Sequence, residues 1–208
     1  MGKTKIRALI LDYGGVISQP QHPENINNML QILNQDYSDF KQLYQSKRDD
    51  YDNGQLSGRE YWLSILQHYG LEPHNSDITN LIQEDVRSWT HINEPMIQFI
   101  KDSRSRLYKL AIISNMTKDS LAFLQSHCYW LELFDVLIFS CDIGYNKPDR
   151  RIYAACLSQL EIPPGECLFV DDSAANVRGA MEAGMNVIQF KYFPEFQQAL
   201  DKDFYFAR

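Results

Sequence analysis

Four short apolar runs, each cut off by a polar residue or glycine and followed by helix signals, constrain this chain most. They are IRALILD from Ile6, YKLAIISN from Tyr108, FDVLIFSCD from Phe134 and ECLFVDD from Glu166. A weaker fifth, NVIQFKY, begins at Asn186 after a helix ending near Ala183-Gly184. The runs are apolar at consecutive positions, so both faces of each strand are covered, as in parallel sheets. Between them, residues 94–103, 118–125, 150–160 and 174–183 read as helices. Alternating strands and helices of this kind predict an α/β fold built on a doubly wound parallel sheet.

From about Gln19 to Asn93 the rhythm changes. INNMLQILNQ, SDFKQLYQSK, GREYWLSILQHYG and SDITNLIQEDVRSW carry apolar residues at helical spacing, separated by the breaks DNGQLSG and GLEPHNS. The expected organisation is an α/β core formed by residues 1–18 and 93–208, with a smaller all-helical cap, 19–92, inserted after the first strand. Such an insertion sits above the C-terminal edge of the sheet, where open α/β folds bind ligands, and is placed to act as a lid.

The net charge of −7 argues against nucleic acid or an anionic membrane surface as the main partner. Cys128, Cys141, Cys156 and Cys167 lack any CxxC or metal-ligand spacing and read as reduced thiols. Lys3, Lys5 and Arg7 before an apolar run imitate a signal peptide, but Asp12 and the glycines cut that run short. MGKTKI has Ile6 where myristoylation needs Ser or Thr, and the GKT at Gly2–Thr4 lacks the strand and loop glycine of a P-loop. No stretch has the length of a membrane span. The five histidines form no HxH or HExxH pattern, which argues against zinc. The expectation is a soluble, cytoplasmic protein with no nucleic-acid or membrane partner. Nothing in the pattern speaks to oligomeric state.

The polar residues at the strand ends are the candidate chemistry. The first run ends at Asp12, the second at Ser114-Asn115 and the fourth at Asp171-Asp172, while Lys147 follows the third in CDIGYNKPDRRIY. In a parallel sheet these ends converge on one edge. Three carboxylates facing one another in a partly desolvated cleft repel strongly. A hard cation relieves this, and Mg²⁺ commonly uses one or two carboxylates plus waters and phosphate oxygens. Ser114 and the backbone N–H of Asn115, just before a helix, form an anion cradle. Together these predict a site for a phosphate beside a metal, with a carboxylate aimed at it.

The chain resembles the haloacid dehalogenase-like (HAD) superfamily over essentially its whole length. The resemblance rests on LILDYGGVI, IISNMT, NKPDRRIY and LFVDDSAANVRGA, in that order, with Asp171 24 positions after Lys147. DYGGV, NKP and DDSAANV look most like a subgroup holding sugar-phosphate phosphatases and the phosphatase domain of bifunctional epoxide hydrolases. The resemblance implies a Rossmann-like core, Mg²⁺ as cofactor and a small phosphorylated metabolite as substrate. It implies that Asp12 attacks phosphorus to form an aspartyl-phosphate. Asp12, the carbonyl of Gly14 and Asp172 would ligate the metal. Asp171 would contribute through water or a hydrogen bond, and Ser114 and Asn115 would bind phosphoryl oxygens. Lys147 would neutralise phosphate and nucleophile, and Asn176 would orient Lys147 or a metal-bound water.

The sequence departs from that pattern at Gly14, where most family phosphatases carry an aspartate that moves the proton. A general acid or base contributes ~10²–10⁴-fold. Some members of the resembling subgroup also carry glycine there. The reading is therefore a Mg²⁺-dependent phosphatase, with a phosphometabolite-binding protein of weak or no turnover as the alternative. A 2-haloacid dehalogenase fits less well, because related dehalogenases carry neutral residues where this chain has Asp171-Asp172. In the cap, Tyr44, Arg48, Tyr51 and Trp62 could reach a substrate. Their ordinary reading is that the aromatics pack the cap's own core and Arg48 lies in the solvated run SKRDD.

Overall fold

The computed structural model describes residues 2–207. The first apolar run forms two strands, Thr4–Ile6 (β1) and Ala8–Leu11 (β2). Arg7 parts them because its backbone is engaged elsewhere. Its N–H donates to the Glu166 carbonyl at 2.9 Å, and its carbonyl accepts from Tyr108 and Lys109 at 3.0 and 3.1 Å. Strands Lys109–Ser114 (β3), Val136–Phe139 (β4), Cys167–Asp171 (β5) and Asn186–Gln189 (β6) join β2 in a five-stranded parallel sheet of order β4-β3-β2-β5-β6. The tail strand Phe204–Phe206 (β7) pairs in parallel with β1.

The consecutive apolar residues divide between two helical layers. Leu9 and Leu11, with Leu110, Ile112, Leu168 and Val170, belong to the cluster that also holds Met96, Leu121 and Phe196. Ala8 and Ile10, with Ala111, Ile113 and Phe169, join Ile152, Tyr153 and Cys156 on the other face. Each such fully buried aliphatic or aromatic side chain is worth ~1.5–3 kcal/mol relative to exposure, which is why these runs contain no alternation.

The rest of the chain supplies the helices, beginning directly after the first sheet strand. An insertion carries α1 (Pro23–Leu33), α2 (Tyr37–Ser46), α3 (Arg48–Asp52), α4 (Gly58–His68) and α5 (Asn75–Ser88). Helices α6 (Glu94–Ser103), α7 (Lys118–His127), α8 (Ser140–Ile143), α9 (Arg150–Leu160), α10 (Ala174–Glu182) and α11 (Phe193–Asp203) flank the sheet. The third run differs from expectation, since its SCD is not strand but belongs to the single turn of α8, ended by Gly144 at φ 77°. The helix expected over 118–125 runs on to His127, its start capped by the Thr117 side chain, which accepts from Ser120 N–H.

The insertion has its own apolar cluster, including Met29, Phe40, Trp62, Ile65 and Leu81. An antiparallel bridge between Ser18 and Ile92 joins the chain entering it to the chain leaving it. The short helix α3 ties it to the sheet side of the molecule. Tyr51 Oη donates to Asp119 Oδ2 at 2.8 Å, Asn146 Nδ2 to the Asp49 carbonyl at 2.8 Å, and Ser140 Oγ to the Asp52 carbonyl at 2.5 Å. From β2 the chain runs outward through β3 to β4, then crosses back to β5 on the other flank of β2. That reversal places the C-terminal end of β2 at the crevice where such sheets bind ligands. Among the described residues no helix is long and apolar enough to cross a membrane.

Candidate active site

Asp12 stands where β2 ends. Its N–H still donates to the Val170 carbonyl at 2.9 Å, so the sheet holds its backbone. Its Oδ1 accepts from Tyr13 N–H at 2.7 Å and lies 2.7 Å from Lys147 Nζ. Lys147 is buried between two carboxylates, with Nζ also 2.7 Å from Asp171 Oδ2 and donating to the Ile113 carbonyl at 3.0 Å. Asp171 is completely buried. It accepts from Ser173 N–H at 2.8 Å and from Asn176 Nδ2, which is 3.1 Å from each of its oxygens. Asn115 fixes the lysine loop to the end of β3: its Oδ1 accepts from Lys147 N–H at 2.7 Å, and its Nδ2 donates to the Lys147 carbonyl at 3.2 Å.

The charges explain one another. Burial pushes the Asp12 carboxyl up to about 8, with Asp171 and Asp172 adding to the rise and Lys147 opposing it. Burial also raises Asp172, reinforced by Asp171 and opposed by Lys147. For Lys147 burial pulls down, but Asp12 and Asp171 outweigh it and hold the ammonium form. One buried cation thus faces more negative charge than it can balance.

A cavity of about 330 Å³ opens in front of these groups, between the sheet edge and the insertion. It is lined by Asp12, Ser114, Asn115 and Asp172 from the strand ends, by Lys147, and by Gly14 and Asn176, to which the family resemblance gives roles. Asp171 is not among the lining residues. It stands behind Lys147, and Asn176 bonds to Asp171 rather than to the lysine itself. Gly15 adopts φ +73°, and a Cβ there would lie 2.6 Å from Asp172 Oδ2, so only glycine lets that carboxylate approach the turn. At Gly14 a Cβ would meet the Trp89 indole at 3.3 Å. An aromatic ring from the end of the insertion therefore crowds the place where a side chain at position 14 would begin.

The opposite wall comes from the insertion. Arg48 is not in a solvated run: it is largely buried, with Nε 2.9 Å from Asp52 Oδ1 and Nη1 2.8 Å from Asp85 Oδ2. Tyr44 Oη donates to Asp85 Oδ1 at 2.6 Å and completes this network. The run looked solvated because Asp85, its principal partner, lies on another helix 37 residues away. Tyr44 and Arg48 line the cavity, whereas Tyr51 and Trp62 are buried in the insertion's own cluster. Sequence reasoning missed Asp52 and Trp89, which also line the cavity. The i,i+4 spacing of Arg48 and Asp52 was a usable signal for one of them; Trp89 had none.

The donor set suits a hard cation. Asp12, Asp171 and Asp172 can each offer a carboxylate oxygen, and these atoms lie within 4.8 Å of one another. All are oxygens, as Mg²⁺ prefers. Both oxygens of Asp171 are taken by Lys147, Ser173 and Asn176, whereas Asp12 is engaged through Oδ1 alone, so Asp12 and Asp172 are the carboxylates left to hold an ion.

A parallel sheet with acids at its strand ends and a helical insertion after its first strand defines a class of hydrolase. The chain belongs to it: a family model described as haloacid dehalogenase-like hydrolase matches residues 6–184. Among curated proteins it is 26% identical over 202 residues to the drimenol cyclase DrtB of Aspergillus calidoustus, covering 96% of this chain and 37% of that one. It is 32% identical over 122 residues to bifunctional epoxide hydrolase 2 of Mus musculus, covering 56% of this chain and 22% of the relative. The chain thus spans well under half the length of both. Among solved structures, a HAD family enzyme from Bacteroides thetaiotaomicron superposes with a TM-score of 0.80 at 18% identity, covering 94% of this chain and 98% of that one. The same enzyme in complex with magnesium and inorganic phosphate gives a TM-score of 0.75 at 19% identity, over 89% and 94% of the two chains. At that identity the likeness is one of fold.

Proposed function

We propose that the protein is a Mg²⁺-dependent phosphatase acting on a small phosphorylated metabolite, with a sugar phosphate as the leading class. The observation that carries this reading is Lys147 bonded at once to Asp12 and Asp171 at the mouth of a cavity that Asp172 also lines. Asp12 attacks phosphorus and forms an aspartyl-phosphate, which water then hydrolyses. Ser114 Oγ and the backbone N–H of Asn115 receive phosphoryl oxygens, since the Asn115 side chain is already committed to the Lys147 backbone. Lys147 offsets the charge on phosphate and nucleophile. Asp171 holds Lys147, and Asn176 holds Asp171. Asp12, Asp172 and the Gly14 carbonyl would hold Mg²⁺, which would supply charge neutralisation at the phosphoryl oxygens. Residues 19–92 act as a cap over the cavity and restrict it to small substrates.

A second reading, a phosphometabolite-binding protein without turnover, draws on the glycine at position 14. The test is phosphate release from 4-nitrophenyl phosphate with Mg²⁺, with EDTA and with Asp12→Asn. The phosphatase reading expects release in the first case alone. Equal rates in all three would refute it.

A further inference from the structure

Gly14, crowded by Trp89, brings no proton-moving group to the site, although the leaving oxygen needs a proton and the following water must lose one. Three carboxyl groups line the cavity: Asp12, Asp172 and Asp52. The first two are committed to phosphorus and to the cation in the reading above. We propose that Asp52, on the short helix α3 of the insertion, is the general acid and base of this enzyme.

Its placement supports the role. One serine hydroxyl joins Asp52 to the phosphate-binding loop, since Ser140 Oγ donates to the Asp52 carbonyl and accepts from Met116 N–H at 2.9 Å. Met116 follows Ser114 and Asn115 directly, so α3 is docked beside the loop that receives the phosphoryl group. Tyr51 and the Asp49 carbonyl, bonded to Asp119 and Asn146, hold the same helix down on either side. Within the carboxyl, Oδ1 accepts from Arg48 Nε at 2.9 Å. Oδ2 has no hydrogen-bond partner among the described residues, while the side chain keeps 12% of its surface accessible in the cavity wall. One oxygen is thus anchored and the other free.

The electrical surroundings agree with the geometry. Burial pushes this carboxyl up to about 6, with Arg48 opposing and Asp85 and Asp49 adding to the rise. Tyr61 from α4 and Cys141 from α8 also face it. A group that exchanges its proton near neutrality suits acid–base work.

The two half-reactions balance. In the first, Asp12 forms its bond to phosphorus, the bond to the leaving oxygen breaks with its electron pair on that oxygen, and the Asp52 proton goes there. In the second, water enters the vacated position and gives its proton to Asp52 as its oxygen attacks phosphorus. The bond to Asp12 then breaks, leaving the aspartate as a carboxylate, inorganic phosphate free and Asp52 protonated.

This inference rests on the phosphatase reading and is tested separately from it with a graded series of aryl phosphates, from 4-nitrophenyl to 4-methoxyphenyl phosphate, in Mg²⁺. Asp52→Asn retains an oxygen for Arg48 but has no carboxyl proton. It should lower kcat/KM by about 100- to 10,000-fold for the poorest leaving group and by under about 10-fold for 4-nitrophenol. Asp52→Glu should recover part of the loss for poor leaving groups. An equal fall across the series, or none, overturns the role of Asp52 while leaving the phosphatase reading intact. Equal release by the wild type and Asp12→Asn overturns both.

Discussion

Asp52 also makes a prediction about stability that involves no substrate. Unfolded, its carboxyl titrates at the ordinary 3.8; folded, burial holds it at about 6 despite Arg48. Moving one carboxyl that far is worth about 3 kcal/mol between its two protonation states. The sign follows from which state keeps the proton. Below the unfolded value both states are protonated and nothing is lost. Between about pH 4 and 6 the unfolded chain releases its proton while the folded one retains it, so rising pH favours unfolding. Above the folded value the loss is complete. The side chain is only 12% exposed, so solvent screening reduces the effect little. Asp52→Asn has no such titration. Urea denaturation of wild type and variant at about pH 4 and about pH 7.5 should therefore show the variant gaining about 2 kcal/mol relative to wild type on going to the higher pH, since the unfolded carboxyl is already partly ionised at pH 4. Contact energies that do not depend on pH cancel in that double difference. Parallel behaviour of the two proteins would refute the argument, and a change of opposite sign would mean that Arg48 outweighs burial.

Two further outcomes follow from the same geometry. Arg48→Met strands Asp52 and Asp85 as buried carboxylates without their cation and should cost ~3–5 kcal/mol in urea denaturation at neutral pH; a loss below about 1 kcal/mol would show the pair to be solvated after all. Gly15→Ala puts a methyl 2.6 Å from Asp172 Oδ2 at a φ of +73°. On the phosphatase reading the Mg²⁺ concentration for half-maximal phosphate release should then rise about 10- to 100-fold, whereas an unchanged requirement would remove Asp172 from the proposed metal site.

Much of the sheet was legible because its rule is local. A strand buried on both faces must be apolar at every position, and β2, β3 and β5 announce themselves in that way. The helices over 94–103 and 150–160 begin and end where their apolar periodicity does. Where the local rule failed, a distant partner decided. Arg7 divides the first run because it bonds to Glu166, Tyr108 and Lys109, and the tail FYF is a strand because β1 lies beside it. SCD closes an apolar run as a strand end does but turns into α8, whose Ser140 bridges Asp52 and Met116.

The candidate site divides in the same manner. The residues on the sheet side were readable from sequence, because a parallel topology sends every strand end to one edge and polar residues there stand out against apolar runs. Asp12, Ser114, Lys147 and Asp172 are residues of that kind. The wall opposite them was not readable. Asp52 and Arg48 belong to a charged run that resembles any exposed helix face, and Trp89 resembles any helix-terminal aromatic. What each becomes depends on which helices the insertion packs together and where α3 meets the sheet edge. Sequence by itself thus determined the fold, the converging acids and the absence of a side chain at position 14. Only the tertiary structure decided that Trp89 stands against that position and that Asp52 lines the same cavity, because packing across the cavity joins residues that no local periodicity relates.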